Sequence, residues 1–304
     1  MRIGIVGSGK ENKAVVREFK KVFKETVYIP VDEIIVGVGS DGFHARFNGM
    51  NLFTFDCILP LPTPEKKEFY YVLIKILERE VYVPITSENF FLLWNKPLLS
   101  RLLLKHRISA RKTFAIAQNV AANVILKKLK LPVIVTPPSG KRVLVTKEET
   151  LKDVLSLFKP GYMILVEKPI KPLSVIRVFV AGSETVAYEK IENSTRAITL
   201  PKDVKELALK VRDLISSDFC CINFLKTKKG VMVNEISLSP DFDTFQEVTG
   251  KNIALMLATF IKEKMKRKSV VNKIIDGIIV DPLVSLIRWV ENEVGNLRSA
   301  KPRV

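Results

Sequence analysis

Three residues near the N-terminus, Gly4, Gly9 and Lys10, have the G-x-x-x-x-G-K spacing of a loop that binds nucleotide phosphates through its backbone amides. Such a loop needs Ser or Thr after the lysine, because that hydroxyl ligates Mg²⁺, and this chain has Glu11 there. Gly4 also lies within the apolar run Ile3–Val6, which predicts a strand. The pattern therefore predicts an ordinary strand-to-helix turn, and the chemistry is expected elsewhere in the chain.

The cysteines and histidines offer little metal or redox chemistry. Cys57, Cys220 and Cys221 form no C-x-x-C pair and no disulfide framework. Cys220 and Cys221 are not expected to pair with each other, because adjacent residues of a strand point to opposite faces. His44 and His106 are too far apart in sequence for a ligand pair. Free cysteines, no signal peptide and no apolar run of about 20 residues predict a cytoplasmic protein without a membrane span.

The charge balance is strongly basic. The chain has 304 residues, and its 49 Lys and Arg exceed its 32 Asp and Glu by a net charge of +17. Such an excess attracts polyanions, which include nucleic acid, anionic lipid and acidic protein or peptide substrates. Abundant Lys, Glu, Ile and Val also suit a thermophilic protein. The charge therefore leaves a thermophilic composition and a basic functional surface both open.

Alternating strands and helices would position a site in the first third of the chain. Apolar strands are predicted at Met1–Val6 and Phe55–Leu59, and a shorter one at Val81–Val83. Amphipathic helices are predicted between them, at Lys13–Glu25 and Lys66–Glu80. This β-α-β order predicts a largely parallel sheet with helices on its faces.

Beyond Asn95 the pattern predicts an α+β region with mostly antiparallel strands. Strand pairs are expected about short turns such as Gly182-Ser183 and Thr227–Gly230. Helical spacing of apolar residues predicts helices over Pro97–His106, Ala115–Lys128, Glu149–Leu157, Asp203–Ser216 and Asn252–Arg267.

Within this region, the segment VMVNEISLSPDFDTFQEVTGKNIA, residues 231–254, resembles the RimK-type carboxylate–amine ligases of the ATP-grasp superfamily. That family has E-x-N-x-S-P, a short acidic loop and T-G before an apolar helix. Glu235, Ser239-Pro240 and Thr249-Gly250 match this pattern without a gap. The segments SVIRVFVAGSETVAYEK, YMILVEKPI and LLWNKPLLSRLLLKHRISARKTF resemble family segments less specifically. The resemblance covers about residues 85–265.

The resemblance implies ATP and Mg²⁺ as cofactors, and a reaction that activates a carboxylate as an acyl phosphate and joins it to an amine. Phosphoryl transfer depends mainly on positioning and charge neutralisation, and Mg²⁺ prefers oxygen ligands. The resemblance assigns nucleotide binding to Lys96, Lys141, Glu167, Lys168 and Ile170, metal binding to Glu235, Asn223 and Ser237, and the γ-phosphate with its developing charge to Arg177.

The chain departs from the family pattern at several chemical positions. Asn223 replaces the first metal aspartate, Ser237 replaces the metal asparagine, and Thr136 replaces a phosphate-binding lysine. The Gly-rich lid is reduced to residues 137–142, from which Lys141 could reach the phosphates. Glu235 is then the one remaining carboxylate, and one carboxylate binds two divalent ions poorly.

Three hypotheses on function follow. The chain is an active ligase for a small-molecule or peptide carboxylate and an amine, with an acidic acceptor suited to its basic surface. Alternatively it is a pseudoenzyme, which keeps the fold as a nucleotide-binding or scaffold protein. The third hypothesis, a nucleic-acid-binding protein, depends on charge alone.

The resemblance also divides the chain into four parts. A pre-ATP-grasp α/β domain would cover residues 1–94, the ATP-grasp N-terminal lobe 95–168 and the C-terminal lobe 169–265. A helical extension over 266–304 would either dock onto a partner, such as a second copy of the chain, or cover its own domain.

Overall fold

The computed structural model describes residues 1–8, 13–40, 42–117, 122–137, 141–158 and 163–267. Met1–Leu257 form one compact unit, and Ala258–Val304 belong to a second. Gly9 and Lys10 of the N-terminal turn lie outside the described residues. Residues 268–304, which make up almost all of the predicted helical extension, lie outside them as well.

The strands and helices of the described residues follow in chain order. The strands are β1 (Arg2–Gly7), β2 (Glu25–Pro30), β3 (Ile34–Gly39), β4 (Gly42–Phe47), β5 (Met50–Asn51), β6 (Cys57–Pro60), β7 (Thr113–Ala117), β8 (Val133–Thr136), β9 (Val143–Val145), β10 (Met163–Glu167), β11 (Ser174–Ala181), β12 (Glu184–Ile191), β13 (Ser194–Ala197), β14 (Phe219–Thr227) and β15 (Gly230–Ser237). The helices are α1 (Lys13–Lys20), α2 (Lys67–Leu77), α3 (Ser87–Trp94), α4 (Lys96–Lys105), α5 (Ala122–Lys128), α6 (Glu148–Ser156), α7 (Lys202–Leu214) and α8 (Phe242–Thr249), and residues 253–267 are also helical.

The first sheet is parallel, as predicted, with the strand order β2-β1-β6. Gly4 lies in its central strand, where a Cβ atom would be 2.5 Å from Ile58 Cδ1 and 2.8 Å from Ile29 Cδ1. Both isoleucines are buried, so they have little room to move away. A larger residue at position 4 would therefore force these side chains to shift, and Gly4 lies within a packed strand rather than in a loop.

A second, antiparallel sheet of β3, β4 and β5 lies within the same segment and was not predicted. Phe47 pairs with Met50, so the loop between β4 and β5 has two residues, Asn48 and Gly49. Their φ angles are +48° and +76°. Positive φ at both positions is what a tight hairpin turn requires, and Asn-Gly is its strongest sequence signal. This hairpin was therefore recognisable from the sequence.

The third sheet is fully antiparallel, with the order β7-β10-β8-β9. Its core face packs against α5 and α6, and the side chains involved include Val135, Ile164 and Val166. The prediction of a helix over Ala115–Lys128 was wrong at its start, because residues 113–117 form β7. Pairing of β7 with β10 provides the hydrogen bonds that a helix would otherwise make, so tertiary context overrides the local helical spacing.

The fourth sheet is also antiparallel, with the order β13-β12-β11-β14-β15. Helix α8 packs onto it through Phe245, whose ring lies 4.8 Å from Tyr188 and 6.2 Å from Phe179 between centroids. Asp241 caps α8 by accepting a hydrogen bond from the Thr244 amide at 3.1 Å. The parallel first sheet followed by two antiparallel lobes agrees with the predicted fold class.

Glu189, on β12, connects its own strand to three others of this fourth sheet. The buried carboxylate accepts a hydrogen bond from Ser174 Oγ at 2.6 Å, and it lies 2.7 Å from Arg196 Nη2 and 3.7 Å from Lys226 Nζ. The hydrogen bonds from Ser174 and Arg196 lower the pKa of Glu189, although burial opposes them. A carboxyl group with a lowered pKa in the folded state stabilises the fold above its unfolded pKa, and this contribution is lost as the pH falls through the folded value.

We expect Glu189→Gln to reduce the free energy of unfolding at pH 7 by roughly 1–3 kcal/mol, because hydrogen bonds to a charged group are lost. The variant should also lose less stability than the parent between pH 7 and pH 3, since the parent carboxylate must be protonated. Urea denaturation at both pH values measures this difference. Equal losses in the two proteins would show that Glu189 contributes nothing to acid sensitivity.

Candidate functional site

Four polar side chains form a row across the fourth sheet. In the strand register, Tyr188 is opposite Arg177, Arg177 is opposite Asn223, and Asn223 is opposite Glu235. Directly opposite residues of antiparallel strands point to the same face. The structure thus brings together three of the residues that the sequence assigned to catalysis and metal binding.

Arg177 is held in place by Tyr188. Its Nη1 donates a hydrogen bond to the Tyr188 hydroxyl at 3.1 Å, and its Cζ lies 6.0 Å from the centre of the tyrosine ring. Burial acts to lower the pKa of Arg177, but the interactions with Tyr188, Cys221 and Asp241 together outweigh it, and the net pKa is raised. Arg177 is therefore a fixed, half-buried cation that can receive negative charge at the row.

The three predicted metal ligands differ in how well each could bind a metal ion. Asn223 Nδ2 donates to Glu235 Oε2 at 3.3 Å. The side-chain oxygen of Asn223 is thereby left as a neutral metal ligand beside one exposed carboxylate. The Ser237 hydroxyl is engaged in its own turn, where it accepts from the Ser239 amide at 3.0 Å and donates to the Ser239 carbonyl at 3.2 Å. Ser237 is thus the weakest of the three assigned ligands.

These oxygen ligands fit a magnesium ion only if phosphate oxygens and water supply most of its coordination shell. Over the described part of the chain, no group of three or more His, Cys, Asp or Glu side chains could hold a metal ion. Mg²⁺ commonly takes one or two carboxylates and completes its shell with phosphate oxygens and water. Glu235 and Asn223 fit one such ion.

Glu167 lies in a second polar cluster, on the third sheet. Its side chain, 2% exposed, accepts a hydrogen bond from Thr113 Oγ1 at 2.9 Å. Its Oε2 lies 3.8 Å from Arg111 Nη1 and 3.5 Å from Arg142 Nη2. Val166, the preceding residue, faces the apolar core, so Glu167 points to the opposite face of the sheet.

The other residues assigned to nucleotide binding lie around this sheet and helix α4. Lys168 Nζ donates hydrogen bonds to the carbonyl of Lys130 and, at 3.1 Å, to that of Leu131. Its ammonium therefore connects the end of β10 to the segment after α5. Ile170 is half-buried two residues further on, Lys96 is the half-buried first residue of α4, and Lys141 is exposed. Their roles stay predictions.

One backbone contact joins the two lobes close to both polar groups. Ala110 pairs with Val233 in an isolated parallel bridge, and the Val233 amide donates to the Ser109 carbonyl at 2.8 Å. Arg111 follows this bridge directly, and Glu235 lies two residues beyond it on β15. The arginine–glutamate cluster of one lobe and the row of the other thus adjoin the same bridge.

Sequence reasoning did not assign a role to Arg111, Arg142 or Tyr188. Arg111 is next to Lys112 in a short polar segment, which by itself resembles an ordinary solvated turn. Its burial and its approach to Glu167 depend on the pairing of β7 with β10. No local pattern signals that pairing.

A family model described as the RimK-like ATP-grasp domain matches residues 94–261, which is more than half of the chain. The chain belongs to the RimK-like ATP-grasp family. This result confirms the resemblance carried by the segment from Val231 to Ala254 and places the chain among ATP-grasp ligases.

Individual relatives agree with the family assignment. The chain is 28% identical over 222 residues to the alpha-aminoadipate–LysW ligase LysX of Saccharolobus solfataricus, and the match covers 64% of this chain and 80% of that one. Among solved structures, a RimK domain ATP-grasp protein from Sphaerobacter thermophilus has a TM-score of 0.68 at 18% identity, and covers 86% of this chain and 99% of its own.

The ATP-grasp ligase PsnB, solved with a minimal precursor, Mg and ADP, has a TM-score of 0.65 at 14% identity over 87% of this chain and 98% of its own. These structural likenesses show the ATP-grasp fold, with a parallel-sheet domain ahead of two antiparallel lobes. Among the helices of the described residues, none has the length and apolar character to cross a membrane.

Proposed function

We propose that this RimK-like ATP-grasp protein is an ATP-dependent ligase that joins a carboxylate to an amine through an acyl phosphate. The observation that carries the proposal is the row of Arg177, Asn223 and Glu235 on one face of the fourth sheet. A fixed cation and a carboxylate with a neutral oxygen beside it are the groups that phosphoryl transfer needs for charge neutralisation.

When bound, ATP would supply the phosphoryl group that activates the carboxylate, with release of ADP, and the amine would then displace phosphate. Arg177 would bind the oxygens that gain negative charge in both steps. Glu235 and the side-chain oxygen of Asn223 would hold one magnesium ion. Lys96 and Lys141 would neutralise phosphate charge, and the segment from Glu167 to Ile170 would bind the nucleotide base.

We propose a peptide or small-molecule carboxylate and an amine as substrates, one of them acidic. The names of two relatives support this class, because LysX is a ligase of alpha-aminoadipate and LysW, and PsnB was solved with a precursor. The net charge of +17 would attract an acidic acceptor to the protein surface. We place the protein in the cytoplasm, on the basis of its free cysteines.

The proposal is tested by calorimetric titration with ATP in the presence and absence of Mg²⁺, followed by ADP-release assays with acidic peptides as acceptors. We expect ATP binding that is strengthened by Mg²⁺, and ADP release that depends on the acceptor. Absence of Mg²⁺-dependent ATP binding would contradict the proposed function.

A specific observation favours the second candidate, a nucleotide-binding pseudoenzyme. The amide nitrogen of Asn223 donates to Glu235, and the hydroxyl of Ser237 is engaged by Ser239. Of the three assigned metal ligands, the site therefore keeps one carboxylate, from Glu235, and one neutral oxygen, from Asn223. A protein of this kind would bind ATP without acceptor-dependent release of ADP.

We expect Asn223→Asp to strengthen Mg·ATP binding by roughly tenfold, which corresponds to about 1.4 kcal/mol. A second carboxylate beside Glu235 adds a charged ligand for an ion whose affinity depends on ligand charge. Calorimetry measures the effect, and Asn193→Asp in the exposed turn before β13 is the matched control. In a metal-free scaffold the same change would only place like charges side by side and lower the melting temperature.

A further inference from the structure

The polar cluster on the third sheet has two positively charged side chains but only one negatively charged partner. Two guanidinium groups, from Arg111 and Arg142, approach the single carboxylate of Glu167. The side chains of Arg111 and Glu167 are only 8% and 2% exposed, whereas that of Arg142 is 45% exposed. The cluster therefore carries one net positive charge, and two of its three charged side chains, those of Arg111 and Glu167, are buried.

Several of these buried polar atoms lack a hydrogen-bond partner among the described residues. They are Nε and Nη1 of Arg111, Oε2 of Glu167 and Oγ1 of Thr136. The arginine–glutamate distances of 3.5 and 3.8 Å fit ion pairs, but they are too long for good hydrogen bonds. Buried polar groups in native proteins are almost always paired, so a cluster of unpaired ones indicates a missing partner.

These atoms share one face of the sheet. Glu167 is opposite Thr113, and Leu165, two residues earlier on β10, is opposite Thr136. Residues two apart on a strand point to the same side, so Thr136 lies on the Glu167 face. That face is opposite the apolar core, which α5 and α6 cover. The unpaired atoms are thus on the face of the sheet opposite α5 and α6, and their side chains are buried there.

The electrostatics favour an anion here. Burial lowers the pKa of Arg111, the charge of Glu167 opposes this effect, and the nearby Arg142 adds to the lowering. The Arg111 guanidinium nevertheless keeps its charge, because an arginine side chain is far too weak an acid to lose its proton in a protein. A bound anion would neutralise the excess positive charge and accept the free N–H groups.

We propose that Arg111 and Arg142, with Thr136, bind a phosphate group of the nucleotide. Guanidinium groups bind phosphate through paired N–H donors of fixed geometry, and the threonine hydroxyl can donate a third hydrogen bond. The bridge between Ala110 and Val233 places Arg111 beside the strand of Glu235. The inference rests on the proposed function for the identity of the ligand, because it takes the anion to be part of ATP.

The test is pyrophosphate and ADP binding without Mg²⁺, measured by calorimetry on the full chain. Arg142→Gln is the first variant, because its half-exposed side chain can be replaced without opening the core. We expect both ligands to bind roughly 10- to 100-fold more weakly, the loss typical of one charge-assisted contact. Arg101→Gln, at an exposed position on α4, is the matched control and should bind both ligands like the parent.

Glu167→Gln separates an anion site from a purely structural ion cluster. Removal of the carboxylate raises the net positive charge, so a phosphate site should bind pyrophosphate about tenfold more tightly. A structural cluster would instead lose thermal stability while its pyrophosphate affinity stays that of the parent. Arg111→Lys keeps the positive charge but loses the paired N–H donors of the guanidinium group. It should therefore weaken pyrophosphate binding as Arg142→Gln does.

Pyrophosphate needs neither a carboxylate nor an amine, so this test does not depend on ligase activity. Unchanged pyrophosphate and ADP affinity in Arg142→Gln, with the fold intact by circular dichroism, would overturn the inference even if the parent releases ADP with an acceptor. Pyrophosphate binding that is lost in the variant while ADP binding persists would overturn the assignment to a nucleotide phosphate. Loss of both supports it, whatever the acceptor assays show.

Discussion

Replacement of Glu235 by alanine is expected to remove Mg²⁺-dependent nucleotide binding. Glu235 is the one carboxylate in the row that contains Arg177 and Asn223, so within that row the variant would leave the ion only the neutral oxygen of Asn223. We expect acceptor-dependent ADP release to fall by roughly 100-fold or more, which corresponds to about 2.7 kcal/mol of transition-state stabilisation. Calorimetry with ATP, with and without Mg²⁺, and initial rates of ADP release measure the two effects.

The control for this prediction is Glu184→Ala, which removes an exposed carboxylate from the start of β12 in the same sheet. It should leave both the Mg²⁺ dependence and the rate at the parent values. Glu235 is itself exposed and lies on β15, the edge strand of the fourth sheet, so its replacement should not unfold the protein. Parent-like Mg²⁺ dependence in Glu235→Ala would remove the metal assignment at its most specific residue.

Phe245→Ala should destabilise the protein by roughly 3–5 kcal/mol, the range for deletion of a fully buried aromatic side chain. The Phe245 ring is completely buried and contacts the rings of Tyr188 and Phe179 edge to face. The cavity left behind would lie under helix α8 and beside the ring that orients Arg177. We therefore expect loss of stability together with weaker nucleotide binding, measured by guanidinium denaturation and by calorimetry.

Phe43→Ala, at a position 57% exposed on β4, is the matched control. Surface substitutions usually change stability by less than about 0.5 kcal/mol, so the two phenylalanines should differ by several kcal/mol. A similar small loss in both variants would mean that α8 does not depend on Phe245 for its packing.

Local patterns in the sequence were enough for the fold class and the family. The strand–helix alternation of the first third predicted a parallel sheet, which β1, β2 and β6 form. The gapless match from Glu235 to Gly250 predicted the ATP-grasp family, which the family model confirms. Both inferences depend on residues close together in the chain. Periodicity predicted the strands and helices, and the resemblance to a family motif predicted the family.

Two features of the fold were not predicted from the sequence, and the reasons differ. The Asn48-Gly49 hairpin had a clear signal that was not used, so this miss was avoidable. The strand over Thr113–Ala117 was different, because its apolar spacing fits a helix and only its partner β10 decides for a strand. Long-range pairing of this kind has no local signature.

For the candidate site, the sequence by itself determined that Glu235 and Asn223 belong to neighbouring strands of one hairpin, and the register then placed them opposite each other. Only the tertiary structure decided which charges meet beyond that hairpin. Arg111, Arg142 and Glu167 come from three separate segments, and they converge because β7 and β8 pair with β10 while β9 pairs with β8. The physical reason is that burial and charge pairing depend on distances in space, which strand order sets and sequence spacing does not.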